Sequence, residues 1–393
     1  MGDRLKHDQE FIKKKNQILI LEIIQKNNRR ISRADIAKMT KMSPASVGRI
    51  VNTLIETGLI KETDQQSSGV GRKATMLECD VQSLLAIGVE VDRNVIKAAI
   101  VDLDGRIITE AEKKADNSAN CPETVASRII DLIRQLADGQ KVELNKFIGI
   151  GIGIPGIINP DTGEVIISAQ LKWKNERFAS LIEDKLPLPV VLDNDLKVKA
   201  LGESSYWPKS DETKTVLVSV GSGVGSALVD EGEIYRGANN IAGEIGHSTV
   251  NPDGMLCECG KRGCLQTYIT DLSLLQEANQ VRPVHHVEDI FEAMRNGETW
   301  AYNIIERACT YIAVTINNVV CTYNPDRIIL TGNFIEHHSD TFEMVRAKMK
   351  DFIWEPFSGT FDLSRSKLGE NSVRIGAAKL VLQQRLKQGL PLD

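Results

Sequence analysis

The chain has 393 residues and a formal net charge of −5, with 42% hydrophobic and 26% charged residues. This length favours two or three domains, and the composition is typical of globular proteins rather than disordered ones. No apolar run reaches the roughly 18 residues of a membrane helix, and the Lys-rich start, Met1–Asn16, lacks the apolar core of a signal peptide. We therefore expect a cytoplasmic protein with no membrane partner.

The charge is divided unevenly along the chain. Residues 1–78 hold 15 Lys and Arg against 9 Asp and Glu, a net charge of +6, and the remainder carries −11. A basic segment on an acidic body suggests that the segment alone meets a polyanion such as DNA. The alternative is a chance asymmetry, because basic segments are often simply solvated faces.

The first 80 residues have the helix pattern of a helix-turn-helix. After a first amphipathic helix, Ser32 is placed to cap a short helix at Arg33–Met39. A tight break follows, and Ser43 is placed to cap a second helix, Pro44–Thr57, with its proline at the first helical position. Gly58 is expected to end this helix, as glycine does just beyond helix C-termini.

A β-hairpin is expected to follow as the wing. Its strands are predicted at Leu59–Glu62 and Thr75–Cys79, on either side of a glycine-rich loop at Gln65–Lys73. In a helix-turn-helix the second helix enters the major groove with its N-terminal end first. We therefore expect DNA contacts from its exposed residues and from two cations of the loop: Ser43, Ala45, Ser46, Arg49, Asn52, Arg72 and Lys73.

These residue types suit contacts with DNA. Arg49 can read guanine through two hydrogen bonds and Asn52 can read adenine, whereas Ser43 and Ser46 suit phosphates. The two loop cations can enter the minor groove or bind phosphates. A three-helix protein-interaction module is the alternative, and the helix pattern alone leaves it open. The basic charge, the wing and the Gly-Arg-Lys loop together favour DNA.

From Leu84 onward the pattern is that of an α/β fold. Apolar runs at Leu84–Val91 and Val95–Asp102 predict a hairpin meander, and a helix at Glu123–Leu136 precedes a buried strand at Phe147–Ile154. Later strands alternate with helices. The expected domains are the DNA-binding head (1–80), a first lobe (81–205) joined by the returning C-terminal helix (371–393), and a second lobe (206–370).

Three of the seven cysteines crowd together with a histidine. His247, Cys257, Cys259 and Cys264 fall within 18 residues, among glycines that permit tight turns. One imidazole and three thiolates complete the tetrahedral set of structural Zn²⁺, leaving no open position for catalysis. Buried reduced cysteines are the alternative, which the polar Lys261-Arg262 loop makes improbable. The cluster predicts a structural zinc site.

Taken together, the glycine-rich motifs and the cysteine cluster of this chain resemble those of the ROK family (repressors, open reading frames, kinases). The resemblance rests on Gly221-Ser222-Gly223-Val224-Gly225, on Gly243-Glu244-Ile245-Gly246-His247, and on the Cys257-x-Cys259-Gly260 and Gly263-Cys264 run. Asn194-Asp195 with Glu203, and Pro155-Gly156 after a strand, are similar to further family segments. The head with Gly71-Arg72-Lys73 resembles the repressor branch, xylose repressors in particular.

The resemblance implies an actin-like ATPase fold with two α/β lobes, the second carrying the zinc, and a sugar in the cleft. The sugar-binding residues that it implies are Gly156, Asn194, Asp195, Glu244, His247 and Gln266. In a kinase of this family Asp195 would be the general base. We expect it to be a vestigial base here, because the phosphate turn described next departs from the family pattern. Gly156 would admit close approach of the backbone to the ligand, and His247 would share its ring nitrogens between zinc and sugar.

Two departures from the family pattern bear on function. Gln266 stands where members usually carry Glu, and Asp92-Arg93-Asn94 replaces a glycine-rich phosphate turn. Without those glycines the backbone cannot close around ATP phosphates, so we expect no enzymatic activity.

The sequence therefore predicts a repressor that binds palindromic operator DNA, responds to a sugar, and forms a homodimer or homotetramer. An active sugar kinase with an appended head is the alternative, argued from Asp195. A regulator that binds a phosphotransfer protein is a third possibility, on which the sequence gives no handle.

Overall fold

The computed structural model describes residues 12, 15–25, 27, 31–66, 74–80, 84–114, 120–207 and 213–388. The described chain divides into two compact units. The first unit comprises Met1–Asp193 and Ala377–Asp393, and the second comprises Asn194–Gly376. The chain thus passes between the units at two points, and the three-domain division expected from the sequence stays a prediction.

The head of the first unit contains three helices and three short strands. They are α1 (15–25), β1 (Ile31–Ser32), α2 (Arg33–Thr40), α3 (Pro44–Glu56), β2 (Ile60–Gln66) and β3 (Ala74–Cys79). Strand β3 pairs antiparallel with both β1 and β2, so the wing is a three-stranded sheet. The predicted loop cations Arg72 and Lys73 lie outside the described residues.

Local capping explains where the two short helices of the head begin. The Ser32 hydroxyl accepts a hydrogen bond from the Asp35 backbone, and the Asp35 carboxylate accepts one from the Ser32 backbone in return. Hydrogen bonds with Ser32 lower the pKa of the Asp35 carboxyl. Ser43 caps α3 through the Ser46 backbone N–H at 3.2 Å. Both caps are confirmed, and Gly58 follows α3 with a φ of +73°, as predicted.

The first lobe is built on a five-stranded sheet with helices packed against it. Its elements are β4 (Leu85–Val91), β5 (Val95–Val101), β6 (Ile107–Lys114), α4 (Pro122–Gln140), β7 (Phe147–Ile154), β8 (Ile157–Asn159), β9 (Glu164–Ser168), β10 (Trp173–Glu176), α5 (Phe178–Glu183) and β11 (Val190–Asn194). The sheet order is β11-β7-β4-β5-β6, with β4 antiparallel to β5 and parallel to β7. Strands β10, β9 and β8 form a separate small sheet.

The second unit contains another five-stranded sheet. Its elements are α6 (Asp195–Tyr206), β12 (Thr215–Val220), β13 (Val224–Asp230), β14 (Glu233–Ile234), α7 (Gln266–Ile269), α8 (Asp271–Ala278), α9 (Val287–Arg295), α10 (Thr299–Tyr323), β15 (Arg327–Thr331), α11 (Asn333–Glu336), α12 (Ser339–Phe352), β16 (Asp362–Arg365) and the start of α13 (Ser372–Gln388). The sheet order is β14-β13-β12-β15-β16, with β12 antiparallel to β13 and parallel to β15.

The two large sheets have the same strand order. In each, a hairpin meander of three strands is followed by two further strands on the other side of its first strand. This repeated topology, preceded by the winged head, confirms the predicted α/β class with two actin-like lobes. No helix among the described residues is both long and apolar enough to cross a membrane.

The sheet of the first lobe packs against α13 at a glycine. A Cβ placed on Gly151, in the middle of β7, would lie 1.8 Å from the Ala377 carbonyl oxygen. Backbone cannot yield as a flexible side chain does, so any residue larger than glycine would have to displace the helix. Strand β7 is fully buried, which leaves no room for such a shift.

We expect Gly151→Ala to lower the free energy of unfolding by roughly 3 kcal/mol or more through this clash. Gly139→Ala is the matched control, because a Cβ at this α4 position meets nothing within 4 Å. That change should be neutral or stabilise by about 0.5–1 kcal/mol, since alanine favours helix. Urea unfolding of both variants measures the difference, and equal losses would contradict the packing argument.

Candidate functional site

Helix α3 presents an exposed stripe of the residues expected to read DNA. Ala45, Arg49 and Asn52 are exposed and lie four and three residues apart, which places them on one face of the helix. The opposite face buries Val47, Ile50, Val51 and Leu54. Ser43 and Ser46 lie at the N-terminal end, where their hydroxyl groups are 2.9 Å apart. The buried face therefore orients the stripe outward, although contact with DNA stays a prediction.

A contact that the sequence reasoning missed involves Arg33, the first residue of α2. One of its guanidinium nitrogens donates to the Asn52 side-chain oxygen at 3.0 Å, and the other donates to the Glu62 carboxylate of β2. Arg33 thus joins α2 to α3, the helix expected to enter the major groove (called the recognition helix below), and to strand β2 of the wing. Its place beside a helix cap gives no periodic signal, so the sequence alone could not have indicated it.

The four predicted zinc ligands come together in the second unit. The ligand atoms of His247, Cys257, Cys259 and Cys264 all lie within 4.8 Å of one another. The sulfurs of Cys259 and Cys264 are 3.6 Å apart, and Cys257 Sγ is 3.8 Å from His247 Nδ1. A tetrahedron with Zn–S bonds of about 2.3 Å has edges of about 3.8 Å. The donor set and its spacing therefore fit a tetrahedral metal ion.

Tight turns hold the cysteine loop in this shape. Gly260 has a φ of +82° and Gly263 a φ of +70°, a region that favours glycine. A Cβ on Gly263 would lie 1.6 Å from the Asn251 carbonyl oxygen, so glycine is required there. These glycines explain how three sulfurs converge within a short loop.

The thiols of the cluster differ in acidity. A hydrogen bond from the Lys261 backbone lowers the pKa of Cys259 to about 7, whereas burial raises the pKa of Cys264 to about 12. A buried thiol of this kind binds a metal only by losing its proton. Metal binding at this cluster is therefore expected to release protons.

Gln266, at the start of α7, lies against the same cluster. Its side-chain nitrogen donates to Cys257 Sγ at 3.3 Å and to the Glu258 carboxylate at 3.1 Å. The Gln266 amide thus donates to a ligand atom of the cluster, and a contact between Gln266 and sugar stays a prediction.

Gly156, the candidate sugar-binding residue of the first lobe, lies near the edge of the sheet at which β4 and β7 end. Strands β4 and β7 run parallel with Glu90 opposite Gly153, so Asp92 and Gly156 follow the same edge. Gly156 has a φ of +128°, and a Cβ there would lie 2.3 Å from the Ile167 carbonyl oxygen. The close backbone approach at Gly156 is thus made to β9, and approach to a sugar stays a prediction.

The Asp92–Val95 turn, which joins β4 to β5, is a tight hairpin. The Asp92 backbone N–H donates to the Val95 carbonyl at 3.0 Å, and the Arg93 N–H donates to the Asp92 side chain at 2.7 Å. In this turn the Asp92 side chain thus accepts a hydrogen bond from the backbone of the next residue.

The remaining sugar-site candidates lie in the second unit. Asn194 caps α6, its side-chain oxygen accepting from the Leu196 and Lys197 backbones at 3.0 and 3.1 Å, and Asp195 is the first residue of that helix. Glu244 precedes a short 3-10 helix, Ile245–His247.

The start of α6 and the segment that carries Glu244 meet at β13. A Cβ on Gly225 would lie 2.8 Å from Leu196 Cδ2 and 3.9 Å from the Gly243 carbonyl oxygen. The fold thus brings Asn194, Asp195, Glu244, His247 and Gln266 into one region of the second unit, whereas Gly156 belongs to the first.

Two buried charged residues on α6 have structural partners. The Glu203 carboxylate accepts from the Ser366 hydroxyl and from the Lys367 and Leu368 backbones, so it anchors that loop. Lys197 donates to the backbone and side-chain oxygens of Asn240. The sequence reasoning did not single out Lys197, because a lysine on a helix is ordinarily solvated.

Comparison with known proteins places this geometry in context. Residues 13–61 match a winged helix-turn-helix DNA-binding family, and residues 86–384 match the ROK family. The chain is 28% identical over 376 residues to the xylose repressor of Bacillus spizizenii, covering 96% of this chain and 97% of that protein.

Two solved structures show how far the likeness extends. A ROK family transcriptional regulator, described as a homolog of the E. coli MLC protein, has a TM-score of 0.82 and 25% identity, covering 97% of this chain and 98% of its own. A ROK hexokinase from Thermus thermophilus has a TM-score of 0.68 and 22% identity, covering 78% of this chain and 100% of its own. The hexokinase shows the fold alone. Since the family match spans most of the residues, this chain belongs to the ROK family.

Proposed function

We propose that this chain is a transcription repressor of carbohydrate-utilisation genes, whose head binds operator DNA with an affinity that a bound sugar changes. One observation carries the proposal. The matches to a ROK regulator and to a xylose repressor cover 97% and 96% of this chain, so they include the head. The match to the ROK hexokinase covers all of the hexokinase but only 78% of this chain. The head is the part that a sugar kinase does not need.

The head supports a symmetric mode of binding. A single recognition helix reads a short half-site, so helix-turn-helix proteins pair two heads on a pseudo-palindromic operator. We propose a homodimer or homotetramer on such DNA, in the cytoplasm, with Ser43, Ala45, Ser46, Arg49 and Asn52 facing the groove. Arg72 and Lys73 are proposed to add contacts from the wing loop.

The sugar is proposed to bind through Gly156, Asn194, Asp195, Glu244, His247 and Gln266. Sugar hydroxyls need paired donors and acceptors when they are buried, and carboxylates, an amide and an imidazole supply both. A ligand changes the balance between two states of a protein only if it binds one of them better than the other. A near-complete switch requires about 5.5 kcal/mol of preference for one state.

The metal is proposed to be Zn²⁺ with a structural role. When bound, it would cross-link the thiolates and fix the imidazole ring, with no coordination position left open. His247 is one of the proposed ligands, and Gln266 donates a hydrogen bond to another, Cys257. The metal would therefore hold two candidate sugar-binding residues in place.

The chain is proposed to have no kinase activity, leaving Asp195 as a vestigial base. The turn at Asp92–Val95 supports this, because its hydrogen bonds lie within the hairpin and its residues are not glycines. Catalysis in this fold depends on backbone N–H groups that cradle phosphates.

Arg49→Ala is expected to weaken binding to the promoter region beside the protein's own gene by roughly 5- to 150-fold, since a base-reading Arg contributes about 1–3 kcal/mol. Fluorescence anisotropy with labelled promoter DNA measures it. Arg346→Ala, an exposed arginine of α12, is the control and should leave the affinity unchanged. An unchanged affinity in Arg49→Ala would count against the assigned recognition stripe.

Cys257→Ser is expected to reduce bound zinc from about one ion per chain to nearly none, because the tetrahedral set loses a ligand. Metal analysis of the purified protein measures it, together with the melting temperature, which should fall. Cys321→Ser changes an exposed cysteine outside the cluster and should keep the zinc. Zinc retained at full content by Cys257→Ser would rule out the proposed ligand set.

A DNA titration with a panel of monosaccharides and sugar phosphates tests the sensing role, with ATP consumption followed in the same samples. We expect one sugar to change the DNA affinity by at least tenfold while ATP is not consumed. Consumption of ATP with a sugar, at constant DNA affinity, would establish the kinase alternative instead.

A further inference from the structure

The recognition helix carries a side chain whose orientation is set by another element. Asn52 lies on the exposed stripe of α3, and its side-chain oxygen accepts a hydrogen bond from the Arg33 guanidinium at 3.0 Å. Through its second nitrogen, Arg33 also binds the Glu62 carboxylate. Because the oxygen is turned toward Arg33, the amide nitrogen of Asn52 is directed away from it.

The chemistry of base edges gives this orientation a consequence. To read adenine, asparagine must accept from the N6 amino group and donate to N7, so it needs both ends of its amide. Guanine offers two acceptors, N7 and O6, to the major groove. Because its oxygen points toward Arg33, Asn52 would face a base with its donor end, which suits the two acceptors of guanine better than the donor and acceptor of adenine.

From this we infer that Arg33, held by Glu62, is a positioning residue that makes Asn52 a hydrogen-bond donor, so that the operator carries guanine at the base pair Asn52 meets. The inference rests on the proposed DNA-binding function and adds a base preference to it. It replaces the adenine reading that asparagine alone would suggest.

The placement of Arg33 supports a positioning role over a purely structural one. A cation at the first position of a helix is disfavoured by the helix dipole, and the Glu62 carboxylate offsets that cost. Exposed ion pairs contribute little to stability, so the head should fold without this one. The planar guanidinium can bridge two acceptors in a fixed geometry, which the single ammonium of lysine does not reproduce.

The test is selection from a duplex pool with a randomised central segment, using the full-length chain and its variants. Wild type should enrich guanine at one base pair per half-site, and Asn52→Ala should lose that preference alone. Asn52→Asp, which can only accept, should shift it toward cytosine, whose amino group is a donor. Arg33→Ala and Arg33→Lys should reduce the guanine-over-adenine ratio by roughly tenfold, about 1.4 kcal/mol.

Two controls separate the possible results. Lys38→Ala removes a cation from the same helix and should leave the ratio unchanged, and Arg49→Ala should alter a different base pair. Enrichment of adenine at the Asn52-dependent position, or an unchanged ratio in both Arg33 variants, would overturn the inference while leaving DNA binding intact. If wild type enriched no sequence, the proposed function itself would fail and the inference with it.

Discussion

The packing of the two lobes depends on a few places where two backbone segments come into close contact. Such contact is possible only at glycine, because glycine has no Cβ. At Gly151 the β7 backbone meets α13, and a Cβ on Gly376 would lie 1.9 Å from the Val198 carbonyl oxygen of α6. Gly202 of α6 makes a similar approach to Ser372. The chain passes from one unit to the other at the start of α6 and within α13, and each of these helices contains a glycine at which an added Cβ would clash with backbone.

The repeated sheet topology gives each of the two lobes an equivalent hairpin turn after its first strand. Strands β4 and β12 are equivalent, and each is followed by a hairpin turn. The β12–β13 turn keeps Gly221 and Gly223, whereas the β4–β5 turn has Asp92, Arg93 and Asn94. The β12–β13 turn therefore contains glycines, which let backbone N–H groups approach an anion, and the β4–β5 turn contains none.

Features set by residues close in sequence could be predicted from the sequence. The caps at Ser32 and Ser43 and the convergence of His247 with three cysteines all depend on neighbours within one helix turn or one loop. The hydrophobic periods likewise predicted the helices and the meander, because burial imposes a repeat on the chain.

Features set by polar contacts between distant residues could not be predicted. Asn52 meets Arg33 from another helix, and Glu203 holds residues more than 160 positions away. The family resemblance implies that Asn194 binds sugar, which stays a prediction, and only the structure shows that its side-chain oxygen caps α6. A single polar contact leaves no periodic trace in the sequence, so these roles required the structure.

A hydrogen bond within the first unit ties the head to the first lobe. The Gln25 side chain of α1 donates to the Leu103 carbonyl at 2.9 Å, in the turn that follows β5. The Asp102 carboxylate stiffens this turn by accepting from the Asp104 and Arg106 backbones, both at 2.9 Å. Strand β5 begins at the Asp92–Val95 turn, so these two turns lie at opposite ends of one strand. The hydrogen bond from Gln25 thus ties the head to the end of β5 that lies away from the Asp92–Val95 turn.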